Sequence, residues 1–219
     1  MAIAFDAAST GGLVTTSTLT VSHTTSGSDR LLVVAVASNI DQVTGVTYAG
    51  VSMSLAAKKA YSSPTETIYI YYLAGPASGT NDIVVSRTGT SSYGLVAASY
   101  TGVDQTTPVD ATNTGTNAVG TSSTLSVTST VDNCWNIMMF GLQRGTTAGT
   151  GVGATRGSVP TWNLGYFDTN AAISPAGSNS MTCTHANIPV GRMQGVNIAI
   201  APVSAASPTN NALFFGGGL

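Results

Sequence analysis

Charge is what this 219-residue chain has least of: seven basic and nine acidic residues make up 7% of it, against roughly a quarter in ordinary soluble domains. Two lysines and a single glutamate, Glu66, are too few to furnish the solvated face of a long helix or a coiled coil. The basic residues Arg30, Lys58, Lys59, Arg87, Arg144, Arg156 and Arg192 are scattered. Their one adjacent pair, Lys58-Lys59, reads as a solvated β-turn, so no nucleic acid is expected as a partner. Long apolar runs are missing too. The stretch 31–37 is seven residues, far short of the roughly 20 that a membrane-spanning helix needs, and no membrane is expected. The start, Met1-Ala2-Ile3-Ala4-Phe5-Asp6, lacks a basic n-region and a long apolar h-region, which predicts synthesis in the cytoplasm without a signal peptide. Two cysteines and two histidines show no zinc spacing, and no Asp-x-Asp-x-Asp-Gly loop occurs, so neither metal nor cofactor is expected.

What is present is apolar and uncharged polar matter. Hydrophobic residues reach 42% with a mean hydropathy of +0.24, which argues against disorder. Ser and Thr fill roughly a quarter of the chain, giving a surface with little self-repulsion and little response to salt. Period-two alternation dominates and no 3.6-residue apolar stripe stands out. Strands are predicted at 19–23, 31–38, 45–48, 67–73, 82–87, 94–101, 124–128, 136–142, 181–185 and 195–201, separated by Gly/Pro/Ser turns. About ten short antiparallel strands make an all-β, two-sheet, jelly-roll-like sandwich. The run Leu31-Leu32-Val33-Val34-Ala35-Val36-Ala37 is apolar at every position, so both its faces must be covered. In Thr67-Ile68-Tyr69-Ile70-Tyr71-Tyr72-Leu73, Ile68, Ile70 and Tyr72 share one face and Tyr69 and Tyr71 the other; this strand is central, or its Tyr face meets another surface.

A weak internal repeat is visible. Thr18-Leu19-Thr20-Val21 precedes Leu31-Leu32-Val33-Val34 by the interval that separates Thr124-Leu125-Ser126-Val127 from Ile137-Met138-Met139-Phe140. Gly94-Leu95-Val96-Ala97-Ala98 is echoed by Gly195-Val196-Asn197-Ile198-Ala199. The expected organisation is one sandwich over residues 1–203, with related halves 1–105 and 106–203 interleaved; two tandem sandwiches are the alternative. The Thr/Gly/Asn-rich segment 106–123 reads as a long crossover or a linker. Residues 145–160 form an irregular, glycine-rich stretch that either carries function or is a mobile excursion.

No catalytic constellation emerges, and the chain is not expected to be an enzyme. His23 and His185 fall in predicted strands, where a structural role outweighs a catalytic one, and no Gly-x-Ser-x-Gly elbow occurs. Asp29, Asp41, Asp82, Asp104 and Asp132 fall at predicted turns, where Asp caps its own backbone. A disulfide between Cys134 and Cys183 is geometrically conceivable, but two free buried thiols are favoured. Aromatics near loops, Tyr61, Tyr93, Trp135, Trp162, Tyr166 and Phe167, are candidates for sugar stacking, with Trp162, Tyr166 and Phe167 the candidate loop contacts. No Asn-x-Ser/Thr sequon occurs. Past the final strand, the polar spacer 204–211 leads to Ala212-Leu213-Phe214-Phe215-Gly216-Gly217-Gly218-Leu219. Leu213, Phe214, Phe215 and Leu219 are costly to leave in water, so 204–219 is read as an extended assembly tail that folds back or inserts into another subunit.

Several stretches resemble a family of β-sandwich domains found among tailed-phage virion structural proteins and environmental bacterial surface proteins. They are Ser28-Asp29-Arg30-Leu31-Leu32-Val33-Val34, Val46-Thr47-Tyr48-Ala49-Gly50-Val51-Ser52-Met53, Tyr71-Tyr72-Leu73-Ala74-Gly75-Pro76, Asp82-Ile83-Val84-Val85-Ser86 and Ala98-Ser99-Tyr100-Thr101-Gly102-Val103-Asp104-Gln105. The resemblance spans about 1–203, is clearest in the first half and excludes the tail. It implies a jelly-roll-like fold and a place on a virion surface, as a capsid decoration, head-fibre or tail-associated subunit. The expected partners are then copies of the chain and other virion proteins such as capsid or tail subunits. It transfers no active site. A glycan-binding adhesin or receptor-binding module, with a cell-surface glycan as partner, is the alternative.

Overall fold

The computed structural model describes residues 1–62, 65–117, 121–142, 150–151, 153–159, 164–184 and 193–204. The first half contains β1 (Ala4–Val14), β2 (Thr18–Thr25), β3 (Leu31–Ser38), β4 (Val43–Tyr48), β5 (Val51–Ser52), β6 (Ser54–Ser62), β7 (Thr65–Ala74), β8 (Gly79–Arg87) and β9 (Tyr93–Thr101). The second contains β10 (Val109–Asn117), β11 (Ser122–Thr128), β12 (Trp135–Leu142), β13 (Thr150–Gly151), β14 (Ala154–Val159), β15 (Leu164–Asp168), β16 (Ser178–Thr184) and β17 (Met193–Ile200). Every pairing is antiparallel and the described residues contain no helix.

The expected antiparallel sandwich is present, and it is built twice. There are four sheets and 17 strands, where one pair of sheets and about ten strands were expected. The first half forms a sheet ordered β1-β9-β3-β7-β6 facing one ordered β2-β8-β4-β5. The second forms β10-β17-β12-β15-β14 facing β11-β16-β13. Apart from the added edge strands β6 and β14, each half follows the alternating order of a jelly roll. The halves therefore do not interleave: no sheet takes strands from both, which corrects the favoured sequence reading. Segment 106–123 is mostly strand rather than linker, and the connection between halves shrinks to residues 102–108.

The layers stack outer, inner, inner, outer. Along β3, Leu32, Val34 and Val36 point into the first sandwich beside Tyr48, Tyr69 and Ile83, whereas Leu31, Val33, Ala35 and Ala37 point into a core shared with Ile137, Met139 and Ile198. The inner sheets are thus covered on both faces, and this is why β3 is buried at every position while β2 alternates. In β7, Tyr69 and Tyr71 fill the first sandwich and Ile68 and Ile70 the shared core. The shared core packs β1 against β14, and β6 against β10 and β17, so the two halves meet in opposite order, as copies related by an approximate two-fold axis.

The repeat is legible in individual contacts. Asp6 accepts from the backbone amide (2.9 Å) and hydroxyl of Ser26, and Asp110 accepts from the amide (2.7 Å) and hydroxyl of Thr130. Asp29 and Asn133 both adopt positive φ in the turn that follows. Gly11 lies so close to Val21 that a Cβ would sit 2.6 Å from it, and Gly115 stands in the same relation to Leu125 at 2.8 Å. Each of these pairs is separated by 104 residues, two fewer than the offset between Thr18 and Thr124 in the sequence echo. A shift of two preserves which face each side chain occupies, so sequence pattern alone does not distinguish the two registers.

Candidate functional site

A cleft of about 540 Å³ lies on the seam where the two halves and both ends of the described chain meet. Its floor is made by backbone. The amide of Val203 donates to Gly102 (2.9 Å), that of Asp104 to Ala201 (2.9 Å) and that of Ala201 to Pro108 (3.0 Å), while Val103 and Pro202 form a β-bridge. The N-terminal run lies across this junction: a Cβ on Gly102, which has φ +70°, would sit 2.2 Å from the carbonyl oxygen of Ala2. Met1 and Ile3 form one wall and Val131 and Ala172 another, with Val203 and Ser204 at the point where residues 205 onward depart. Of the four large apolar side chains exposed among the described residues, two, Met1 and Val131, are here.

The two carboxylates in the cleft are committed to local backbone. Asp104 accepts from the amides of Thr106 and Thr107, both at 2.8 Å, which holds its carboxyl below the usual range. Asp132 accepts from the amide of Ala176 at 2.6 Å. The cleft is therefore an apolar receptacle with acidic corners already engaged, suited to binding an apolar segment and poorly equipped for proton transfer.

A second polar cluster ties the halves together inside the shared core. Asp168 is fully buried and takes a bidentate pair of bonds from Arg156, Nε at 2.6 Å and Nη2 at 2.9 Å. The Tyr100 hydroxyl donates to Asp168 Oδ2 (2.9 Å) and lies 3.0 Å from that of Tyr166. Burial pushes both tyrosines well above their ordinary range. The Arg156 guanidinium also covers the Phe5 ring, 3.8 Å from its centroid. The ion pair belongs to the second half, with Asp168 fully buried and Arg156 reaching Asn170 Oδ1 (2.7 Å) near the surface; its contacts with Tyr100 and Phe5 make it a clasp between the halves.

Burial alters several other ionisable groups. Desolvation lifts the Glu66 carboxyl to about 8, and its Oε2 has no hydrogen-bond partner; Gln194 Nε2 donates to the Glu66 backbone oxygen at 3.3 Å. His23, in the interior of β2, bonds Ser9 through Nδ1 at 3.0 Å, and burial lowers its basicity. Cys134 and Cys183 are free and buried, as favoured from the sequence, and burial lifts both thiols to about 12. Among the described residues no three metal-ligating side chains converge.

Several sequence-predicted residues land elsewhere. Tyr166 and Phe167 are not loop contacts: they lie in β15 with no exposed surface, Phe167 stacked on Phe140 at 5.1 Å. Trp162 lies outside the described residues, as do His185 and the tail residues Leu213, Phe214, Phe215 and Leu219. Tyr93 and Trp135 are buried, and no exposed large apolar side chain among the described residues is aromatic. Lys58-Lys59 is not a turn but part of β6, where Lys58 pairs with Asp41 at 2.7 Å; Asp82 likewise sits in β8 and accepts from Ser22. Of the irregular stretch 145–160, residues 150–151 and 154–159 form β13 and β14. The Arg156–Asp168 clasp carried no sequence signal, because a pair twelve residues apart is joined only by the pairing of β14 with β15. The seam cleft was equally hidden, since its walls come from five separated segments. No family model, curated protein or solved structure matches this chain.

Proposed function

We propose that the chain is a non-enzymatic structural subunit of a virus particle, at the virion surface as a capsid decoration, head-fibre or tail-associated protein. The observation that carries this reading is how the polar groups are spent. Asp6, Asp110, Asp104, Asp132, Arg156 and Asp168 each close a turn or clasp two layers, and none is left facing the seam cleft free to react. The outermost surfaces carry hydroxyls instead. Ser122, Thr124, Ser126 and Thr128 stand opposite Thr184, Thr182, Ser180 and Ser178 across β11 and β16, and Thr18, Ser22 and Thr24 lie along β2. A rigid stack with a nearly uncharged exterior suits packing against other subunits. The resemblance to phage virion sandwiches adds the particle to this picture, and the apolar segment beyond the fold adds a means of attachment.

Mass photometry of the purified chain tests the reading. A discrete assembly heavier than 22.0 kDa is expected, unchanged on raising salt to about 1 M, where the Debye length is about 3 Å. A monomer at every concentration, or cleavage of polysaccharides in a substrate panel, would overturn it.

A further inference from the structure

We propose that the seam cleft is the acceptor for the apolar segment 212–219 of a second copy of this chain, exchanged reciprocally between two copies. The inference deepens the assembling-subunit reading and rests on it. Three observations converge on the cleft. It holds two of the four exposed large apolar side chains among the described residues, Met1 at 69% and Val131 at 42% exposure. Exposed apolar groups gathered in one concavity, rather than scattered, mark a docking site. Its volume, about 540 Å³, lies inside the range of about 300–1,000 Å³ typical of sites that enclose a ligand. Finally, Ser204 lies on its rim, so the segment that carries Leu213-Phe214-Phe215 begins beside the apolar receptacle.

The occupant follows from charge and reach. Residues 205–219 carry no charged side chain, and the two carboxylates of the cleft already accept from backbone amides, so an apolar segment adds no side-chain charge to the cleft. The spacer 204–211 reaches at most about 26–29 Å when extended, far enough to cross from the rim of one copy to a copy facing it. Starting at the rim, that length is more than a return to the same cleft requires. Two copies set cleft to cleft then each receive the other's Phe214 and Phe215, a closed two-fold exchange that leaves no acceptor unfilled.

The test uses the full chain in two variants. One carries Phe214→Ser and Phe215→Ser; the other carries Val131→Glu and Ala172→Glu, both at exposed positions of the cleft wall. Each alone is expected to lose the assembled species in mass photometry at a concentration where the natural sequence is fully assembled. An equimolar mixture should recover a two-chain species, since one intact cleft and one intact segment remain. If the cleft variant assembles normally while the segment variant does not, the cleft assignment is wrong and the assembling reading survives. If both assemble normally, both ideas fail. If neither assembles and mixing restores nothing, exchange between copies is wrong. A photo-crosslinking side chain at position 214, in a mixture of light and heavy isotope-labelled chains, supplies a readout independent of the cleft substitutions. Crosslinks from one label to residues 1–3 or 131–133 of the other are expected, and crosslinks confined to a single label overturn the proposal.

Discussion

The two halves share one topology and fill it differently. The outer core of the first is built from Tyr48, Tyr69 and Tyr93 among Leu32, Val34, Val36, Ile83 and Val85. That of the second rests on Met138, Phe140, Phe167, Met181 and Cys183, with a satellite around Val127, Cys134 and Ala199. Where the first half has Leu32 and Ala97, the matching positions of the second are Asn136 and Asn197, both fully buried. Each amide donates, Asn136 to Asn179 and Asn197 to the Leu125 carbonyl, but each leaves its own Oδ1 without a partner. The strand order survives this replacement, so it is set by face alternation and by the Asp6–Ser26 and Asp110–Thr130 turns rather than by a particular jigsaw of core side chains.

The sharpest way to break the comparison is to swap the chemistry at the matched pair. Leu32→Asn removes a fully buried aliphatic side chain and buries an amide with no prepared partner, a combined loss of about 3–6 kcal/mol. Asn136→Leu removes one hydrogen bond and one unsatisfied oxygen together, and Asn179, half-buried, can turn to water. Its expected effect is within about 1 kcal/mol of zero. Urea unfolding of both variants measures the asymmetry; equal losses would mean that the second half is packed as tightly as the first.

The clasp between halves comes next. Asp168→Ala removes the buried carboxylate that pairs Arg156, leaving the guanidinium with Asn170 and the Tyr100 hydroxyl with Tyr166, which should cost about 3–5 kcal/mol. If the clasp is what couples the two sandwiches, the variant's thermal unfolding should split into two transitions. A single transition at a lower midpoint would assign the coupling to the apolar shared core alone.

These comparisons also explain what was legible beforehand. All ten predicted strands exist, because β3, β7, β9 and their counterparts in the second half carry strong β-branched and aromatic patterns. The seven that escaped, β1, β5, β6, β10, β13, β14 and β15, are short or rich in Ala, Gly, Ser, Thr and Asn. Five of them belong to the inner sheets, four at the edges and β15 inside, where the partner half supplies the burial that their own sequence does not advertise. Tyr166 and Phe167 were misplaced for the same reason: β15 is only five residues long, and its two covered faces give no alternation to read. The seam cleft is a product of tertiary meeting points and has no local signature.

Acidity should separate the halves in a different way. Glu66 and His23, the groups most altered by burial among the described carboxylates and histidines, both lie in the first half. Glu66 has its folded pKa raised from 4.5 to about 8, so between those values the folded state holds a proton that the unfolded state has released. Stability therefore falls as pH rises through that window, by at most about 1.4 kcal/mol per pH unit for this one group. The lowered basicity of His23 acts in the opposite direction: the unfolded state binds the extra proton below its ordinary 6.5, so stability from this group is lost as pH falls through that region. The net decline should be clearest between about pH 6.5 and 8, and Glu66→Gln should flatten it. An unchanged slope in that variant would place the titration elsewhere.

The smallest effect is expected on the outer faces, where the halves are most alike. Thr124 meets Thr182 at 2.7 Å on the second half and Thr24 meets Thr80 at 2.8 Å on the first. In both places the hydroxyls are open to water, so deleting one exchanges a protein partner for a solvent partner and strands nothing. Thr124→Val and Thr24→Val keep the β-branched shape that favours the strand, and each should change unfolding free energy by no more than about 0.5 kcal/mol. Because the two sites are alike in chemistry and exposure, their effects should also be equal within that margin. The informative departure would be a loss of assembly without a loss of stability in either variant. That outcome would move the contact between subunits from the seam to the hydroxyl faces, and it is read by following assembled mass and urea midpoint on the same samples.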